Sequence, residues 1–379
     1  MKLSYIISAL EAYAPRSLQE KWDNTGLQIV IPEGADCTGA LLCVDVTPEI
    51  IREAARRGRN LVISHHPLIF KGLKSLTGRT LAEQTAYEAV RSGVAVYSSH
   101  TALDSTRGGV SYAMARKLGA EPVRVLSPVE IKRSTISVIC PREAADSVRL
   151  VLFDHNAGEA PQASNSTLSD AATPAKASAY TGTQADVEGW KFESDNDPIP
   201  AFELIHTPLT RVTAQIYGSA APVLEALSGL DDASSISVDV AEDTVTDPAI
   251  GLGLLAKFDT PITMGALVAK LHEAFGPGAI RANMAAARED SPVRIIALCG
   301  GSGGEFIGTA ASAGADAYIT ADVRYHDFAD HREGMGIFDI GHFESETCSK
   351  DVIYDILSKK FSNFAVDYAE CDANPVKYL

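Results

Sequence analysis

The sequence predicts an α/β protein. Mostly parallel sheets with flanking helices are built from both chain ends, and a small α+β domain of ferredoxin-like type is inserted between them. Three observations predict this. Short apolar runs alternate with helical periodicities across residues 40–131, the pattern of β–α–β units and a parallel sheet. That alternation breaks near residue 132 and returns near residue 250. The chain of 379 residues is also long for one domain. The expected division is 1–131 with 246–379 as one discontinuous domain and 132–245 as the insert.

The elements follow in order. Leu3, Ile6, Ile7, Leu10 and Tyr13 recur at helical spacing, and Pro15 lies just past them, so the N-terminus reads as an amphipathic helix and not a signal peptide. "ALLCVDV" is a strand; "TPEIIREAARRG" is a helix capped by Thr47 with Pro48 in its first turn. "NLVIS" and "VAVYSS" are strands, and the helices after them close on Gly93 and Gly119. In the insert, "STISVIC", "TRVTAQIYG" and "SSISVDVA" are strands, while the segments from Pro141 and Ser219 are helices. Two strand–helix–strand halves suggest the ferredoxin-like type. Residues 158–200, rich in Ala, Ser, Thr, Asp and Pro, lack periodicity and are expected to be partly mobile. The last third reads as helix 261–276, strand "VRIIALC", helix "EFIGTAASAG", strand "DAYIT", helix 322–334, strand "MGIFDI", one long helix 343–361 and strand "FAVDYAE".

Composition excludes several classes. Acidic residues number 49 against 33 basic ones, a net charge of −16; a nucleic-acid binder normally shows a basic face. A bound cation can still reverse the field locally for an anionic ligand. The cysteines at 37, 43, 140, 299, 348 and 371 form no CxxC pair, which suits a reducing, cytoplasmic setting. No apolar run is long enough for a membrane span.

Three short segments carry the chemistry. "LVISHHPLIF" places His65 and His66 at the carboxyl end of a strand, before Pro67, where ligands collect in open α/β sheets. Extended neighbours point to opposite sides, so the pair chelates one ion poorly but can reach two ions lying side by side. "SSHTALDS" puts His100 and Asp104 after the next strand. "GIFDIGHFESE" puts His342 and Glu346 four apart at a helix start, on one face. Each segment alone also fits a cap, a core histidine or chance. Together, three strand ends deliver imidazole or carboxylate to one sheet edge. The predicted metal ligands are His65, His66, Asp104, His342 and Glu346, holding two divalent ions per chain. Mixed nitrogen and oxygen donors suit Zn, Mn, Fe, Co or Ni. His100 and His326 are the candidate catalytic proton shuttles. "CGGSGGEF" at 299–306 reads either as a phosphate cradle or as close packing. In "WDNTGLQ", Trp22 reads as packing, and Asp23 and Asn24 as residues that order a loop near the site.

"WDNTGLQ", "ISHHP", "SSHTALDS", "CGGSGGEF", "GADAYITADVRYHD" and "GHFESE" occur in that order. They resemble the Nif-three-like family of dinuclear-metal hexameric proteins, labelled type-two GTP cyclohydrolase I, over about 1–131 and 250–379. The resemblance implies the same five metal ligands, a toroidal homohexamer with its sites facing an internal cavity, and an inserted domain similar to the PII and CutA folds. There are departures: Thr25 stands for the usual valine, Ala321 for a glycine, and Ser111 and Tyr112 for a common Asn-Asp pair.

The leading functional expectation is a metal-dependent hydrolase acting on a nucleotide or phosphorylated small molecule, by GTP ring opening or phosphoester cleavage, with a hydroxide held by the ions as nucleophile. The alternative is a metal-binding regulatory or scaffold hexamer without turnover, which the inserted domain favours.

Overall fold

The computed structural model describes residues 1–30, 35–155, 186–187, 191–192, 202–203, 209–217, 220–231 and 235–379. Most of the 158–200 stretch lies outside the described residues. The chain divides into two compact units, Met1–Val129 with Pro248–Leu379, and Glu130–Asp247.

The first half of the first unit runs α1 (Leu3–Tyr13), β1 (Gly26–Ile29), β2 (Gly39–Cys43), α2 (Pro48–Arg56), β3 (Leu61–Ser64), α3 (Leu81–Ser92), β4 (Ala95–Ser98), α4 (Thr101–Ser105) and α5 (Val110–Leu118). Local chemistry sets these boundaries. The Thr47 hydroxyl accepts from Ile50 N and the Thr80 hydroxyl from Glu83 N, each capping a free helix amide. Gly93 and Gly119 end α3 and α5 in left-handed conformation.

Strand β5 (Glu121–Pro141) leads into the second unit, which holds α6 (Ala145–Asp154), β6 (Asp186–Val187), β7 (Lys191–Phe192), β8 (Phe202–Glu203), β9 (Leu209–Tyr217) and α7 (Ala221–Ser228). There β5 pairs antiparallel with β9, and β9 with β6. Ile136, Val138, Val148, Leu152, Val212 and Val223 belong to a core of its own. Strand β10 (Ser237–Thr263) returns the chain, followed by α8 (Met264–Phe275), β11 (Arg281–Ala282), β12 (Pro292–Ser302), α9 (Ile307–Ser312), β13 (Ala317–Ala321), α10 (Tyr325–Asp330), β14 (Gly336–Asp339), α11 (His342–Glu346), α12 (Cys348–Lys360) and β15 (Ala365–Tyr368).

The fold is α/β, but its sheets are mixed. One sheet has the order β1-β4-β3-β2-β15, with β4, β3, β2 and β15 parallel and β1 antiparallel at the edge. In the other, β12, β13 and β14 are parallel, with β10 and β11 antiparallel beside them. Alternate residues of β2–β4 bury opposite faces. Leu41, Cys43, Val62 and Val96 pack under α2 and α3; Ala40, Leu42, Leu61, Ile63 and Tyr97 share a core with α1, α5, α8, α12 and one face of the second sheet. Burial on both faces explains why these strands read as continuous apolar runs.

Three boundaries differ from expectation. Residues 261–263 extend β10, and α8 starts after the Thr263 cap. β12 continues through the glycine-rich segment to Ser302. The long C-terminal helix is divided into α11 and α12 at Thr347.

Candidate metal centre

The carboxyl ends of β3, β4, β13 and β14 bring the predicted residues together. His65 and His66 follow β3 directly. Their amides bond to Cys43 O at 3.1 Å and Val44 O at 3.0 Å, which fixes the turn out of the strand. Beyond Ser64 strand alternation no longer applies, so the two rings do not point to opposite sides: their centroids are 5.2 Å apart, tilted by 44°. His100 precedes α4, and its ring lies 5.3 Å from that of His65 and 5.4 Å from that of His66. His342 opens α11, with its ring 5.2 Å from that of His66.

Every one of these imidazoles is held at Nδ1. Ser99 O lies 3.1 Å from His65 Nδ1, Asp45 Oδ1 2.8 Å from that of His66, Asp23 Oδ1 2.8 Å from that of His100 and Asp322 Oδ2 2.7 Å from that of His342. A carboxylate or carbonyl behind each ring fixes its tautomer and leaves Nε2 as the ligating atom, as is usual for metal-bound histidines. Asp322 has φ +54°, the one positive value outside glycine among the described residues; aspartate tolerates that conformation better than most side chains.

Two carboxylates face the Nε2 atoms. His65 Nε2 is 3.5 Å from Glu346 Oε1 and 3.7 Å from Asp104 Oδ1. Glu346 Oε2 is 2.8 Å from His66 Nε2 and 3.2 Å from His342 Nε2. Despite this proximity, His65 Nε2, Asp104 Oδ1 and Glu346 Oε2 are buried without an aligned hydrogen bond. His66 Nε2 and His342 Nε2 stand 3.3 Å apart. Buried polar atoms are normally satisfied, and a cation among these lone pairs would satisfy all of them. Two candidate clusters result, His65/His66/His100 and His66/His342/Glu346.

The electrostatics agree. Burial alone would lower the histidines, but the facing carboxylates outweigh it. Asp45 and Glu346 push His66 up to about 10, Glu346 and Asp322 push His342 up to about 9, and Asp104 and Glu346 raise His65. Burial lifts the Asp104 carboxyl above its ordinary value despite His65. Glu346 is held well below the carboxylate range in spite of its burial, by His65, His342 and His66. Without ions, protons supply the positive charge that the two carboxylates require.

The glycine-rich segment serves close packing. Gly301 N donates to Ser345 Oγ at 2.9 Å and its carbonyl accepts from Thr320 Oγ1 at 3.1 Å, so its backbone is already bonded. A Cβ at Gly301 would overlap Glu346 Oε1. His326 is exposed, its ring edge-on to Tyr325 at 5.4 Å; among the described residues no hydrogen bond or ion pair joins it to the cluster. Glu344 turns away, accepting from Asn374 Nδ2 at 2.8 Å. Sequence reasoning missed Asp45 and Asp322 as supports. The available signal was an aspartate one or two residues beyond a strand end, in "CVDV" and "TADV". Thr25 turns a departure from the family pattern into a contact: its hydroxyl bonds Asp23 Oδ2 at 2.9 Å.

The profile of the Duf34/NIF3 (NGG1p interacting factor 3) family matches residues 1–375. The chain belongs to the Duf34/NIF3 family. A Mycobacterium bovis protein named GTP cyclohydrolase 1 type 2 homolog is 27% identical over 358 residues, covering 91% of this chain and 88% of that one. A solved Bacillus cereus protein related to NIF3 superposes with TM-score 0.79 at 25% identity, covering 100% and 99% of the two chains. The Staphylococcus aureus protein SA1388 has the same fold, with TM-score 0.78 at 22% identity over 100% and 99% of the two chains.

Proposed function

We propose that this Duf34/NIF3 protein is a dinuclear metal-dependent hydrolase acting on a nucleotide or phosphorylated small molecule, similar to GTP cyclohydrolase type 2 homologs. The observation that carries the reading is four imidazoles anchored at Nδ1, gathered with the carboxylates of Asp104 and Glu346. His65, His66, Asp104, His342 and Glu346 would hold two ions of Zn, Mn, Fe, Co or Ni, with His100 beside them in the first cluster. Such ions supply Lewis acidity and lower the pKa of water to roughly 7. The chain orients: Asp23, Asp45 and Asp322 fix three rings, and Ser99 O the fourth. Proton transfer is proposed for His100, with His326 retained as the second candidate shuttle. The test is metal quantification combined with a panel of nucleotides and phosphoesters. Two ions with metal-dependent turnover support the reading. Two ions without turnover favour the regulatory or scaffold alternative, for which the separate core of the second unit speaks.

Three further expectations are kept as proposals. Residues 132–245 form an inserted ferredoxin-like, PII- or CutA-like domain, supported by the strands and helices that enclose that core. The assembly is a toroidal homohexamer, supported by the family resemblance and checked by sedimentation. The location is cytoplasmic, supported by six unpaired cysteines. Among the described residues no helix is long and apolar enough to cross a membrane.

A further inference from the structure

Large aromatic side chains on a protein surface normally hide most of their area, because each carries a large apolar surface. Trp22 is 57% exposed and Phe70 47% exposed. They are not stray. Their ring centroids are 5.8 Å apart, and Trp22 also stands edge-on to His100 at 5.8 Å. The open indole therefore adjoins an imidazole of the metal cluster.

The pair is held in place. Asn24 Nδ2 donates to Ile69 O at 2.6 Å, and Ile69 N donates to Gln28 Oε1 at 2.9 Å. These bonds tie the segment that carries Trp22 to the one that carries Phe70. On the other side Asp23, whose side chain is buried, bonds His100, Thr25 and Thr101. Trp22 is thus bracketed by fixed neighbours, and ordering it costs a ligand little.

The flanking charges point to the kind of ligand. Lys21 precedes Trp22 and Lys71 follows Phe70, so the aromatic contact brings both lysine-bearing backbones to one rim. Both lysines are exposed, and neither has an ion-pair partner among the described residues. In a chain of net charge −16, two unpaired cations beside a metal cluster and an open aromatic pair favour an anion joined to a flat ring.

We propose that Trp22 and Phe70 form a stacking platform for a planar heteroaromatic ring, and that Lys21 and Lys71 receive an anionic group carried by the same molecule, a nucleoside phosphate being the simplest member of that class. The inference rests on the hydrolase reading and names its substrate class. A ring on Trp22 would lie beside His100, one of the imidazoles of the first candidate cluster. Base–aromatic stacking contributes enough that removing the aromatic weakens binding about 10- to 100-fold.

The test uses full-length, metal-loaded protein with Trp190→Phe, which leaves Trp22 as the sole tryptophan. The probes are the four common ribonucleoside 5′-monophosphates, the free nucleosides and ribose 5-phosphate. Saturable quenching of Trp22 by at least one monophosphate is expected, weaker quenching by its nucleoside, and none by ribose 5-phosphate. In equilibrium dialysis Trp22→Ala should lose about 10- to 100-fold in affinity, Trp22→Phe should recover most of it, and Lys21→Gln with Lys71→Gln should weaken the monophosphate but not the nucleoside. No quenching by any ring-bearing probe, or equal binding of the monophosphates by Trp22→Ala and the parent, overturns the proposal. So does a change in sedimentation on Trp22→Ala, which would mean that a second copy covers the pair. Metal content measured on the same samples separates the two readings. No ring binding by the parent with both ions retained rejects the platform alone; ring binding by the parent without metal rejects the metal reading alone.

Discussion

Replacing Gly301 by alanine separates the two roles open to the glycine-rich segment. Gly301 has φ +64°, and a Cβ there would overlap Glu346 Oε1, standing 3.2 Å from its Cδ and 3.4 Å from His342 Cε1. The left-handed conformation costs alanine roughly 1–2 kcal/mol. The larger effect falls on Glu346, whose side chain is 5% exposed and has no open solvent to move into. Its carboxylate must move, and Oε1 lies toward His65 while Oε2 lies toward His66 and His342. Metal affinity at both clusters should fall about 10- to 100-fold, the usual result when a supporting contact of a metal ligand is disturbed. Equilibrium dialysis against Zn or Mn over a range of free metal, with metal quantification, measures both. Gly304→Ala is the control: its Cβ would meet only Asp327 Oδ2 at 3.4 Å. Wild-type stoichiometry and affinity in Gly301→Ala would refute the packing argument. So would equal losses in both variants. A phosphate cradle predicts the opposite pattern, with weaker inorganic phosphate binding and metal binding untouched.

Three other outcomes are expected. Glu346→Gln should lower metal content at fixed free metal while Glu344→Gln does not, because only Glu346 faces the imidazoles; equal occupancy in both variants and wild type rejects the metal role. Because His66 is pushed up to about 10 and His342 to about 9, ions must displace protons there. Apparent affinity should therefore rise with pH through the neutral range, with acid released into a weakly buffered solution; no release on loading contradicts this. Glu53, with a 2% exposed side chain, accepts from Arg57 Nη1 at 2.9 Å, Glu370 N at 3.0 Å and Cys371 N at 3.1 Å. Burial alone would raise it, but bonds from Cys371, Glu370 and Arg57 lower it from 4.5 to about 2, worth about 3 kcal/mol of stability. A depressed folded-state pKa stabilises above the unfolded value, and that stability is lost as pH falls toward 2. Glu53→Gln should flatten the acid limb of a denaturation series, and an unchanged limb would count against the lock.

The strands and helices around the site were legible because their chemistry is local. Apolar runs fix β2, β3 and β4, Thr47 caps α2, and Gly93 and Gly119 stop α3 and α5. What depends on another segment was not legible. β1 pairs antiparallel with β4 and β11 with β14, and no periodicity announces an edge strand's direction. β12 runs through its glycines because Ser345 and Thr320 occupy the Gly301 backbone, a contact 19 to 44 residues away in sequence. The convergence of His65, His66, Asp104, His342 and Glu346 could be reasoned from strand ends. The aspartates behind the rings could not, since Asp45 and Asp322 read equally well as ordinary loop residues until their partners are placed.

Glu346 holds a different position from the histidines. One imidazole Nε2 has a single lone pair, so His66, which belongs to both clusters, can serve only one ion at a time. A carboxylate has two oxygens, and Glu346 divides them. Oε1 lies toward His65, which also neighbours Asp104, while Oε2 lies toward His66 and His342. The side chain therefore spans the two clusters rather than belonging to one. Its burial, its depressed pKa and the Cβ-free backbone at Gly301 serve the same geometry: a charge kept ionised between two groups of imidazoles, with space cleared behind it. Two cations held in the two clusters would repel each other, and a carboxylate facing both would offset that repulsion where a ligand to one cluster alone would not.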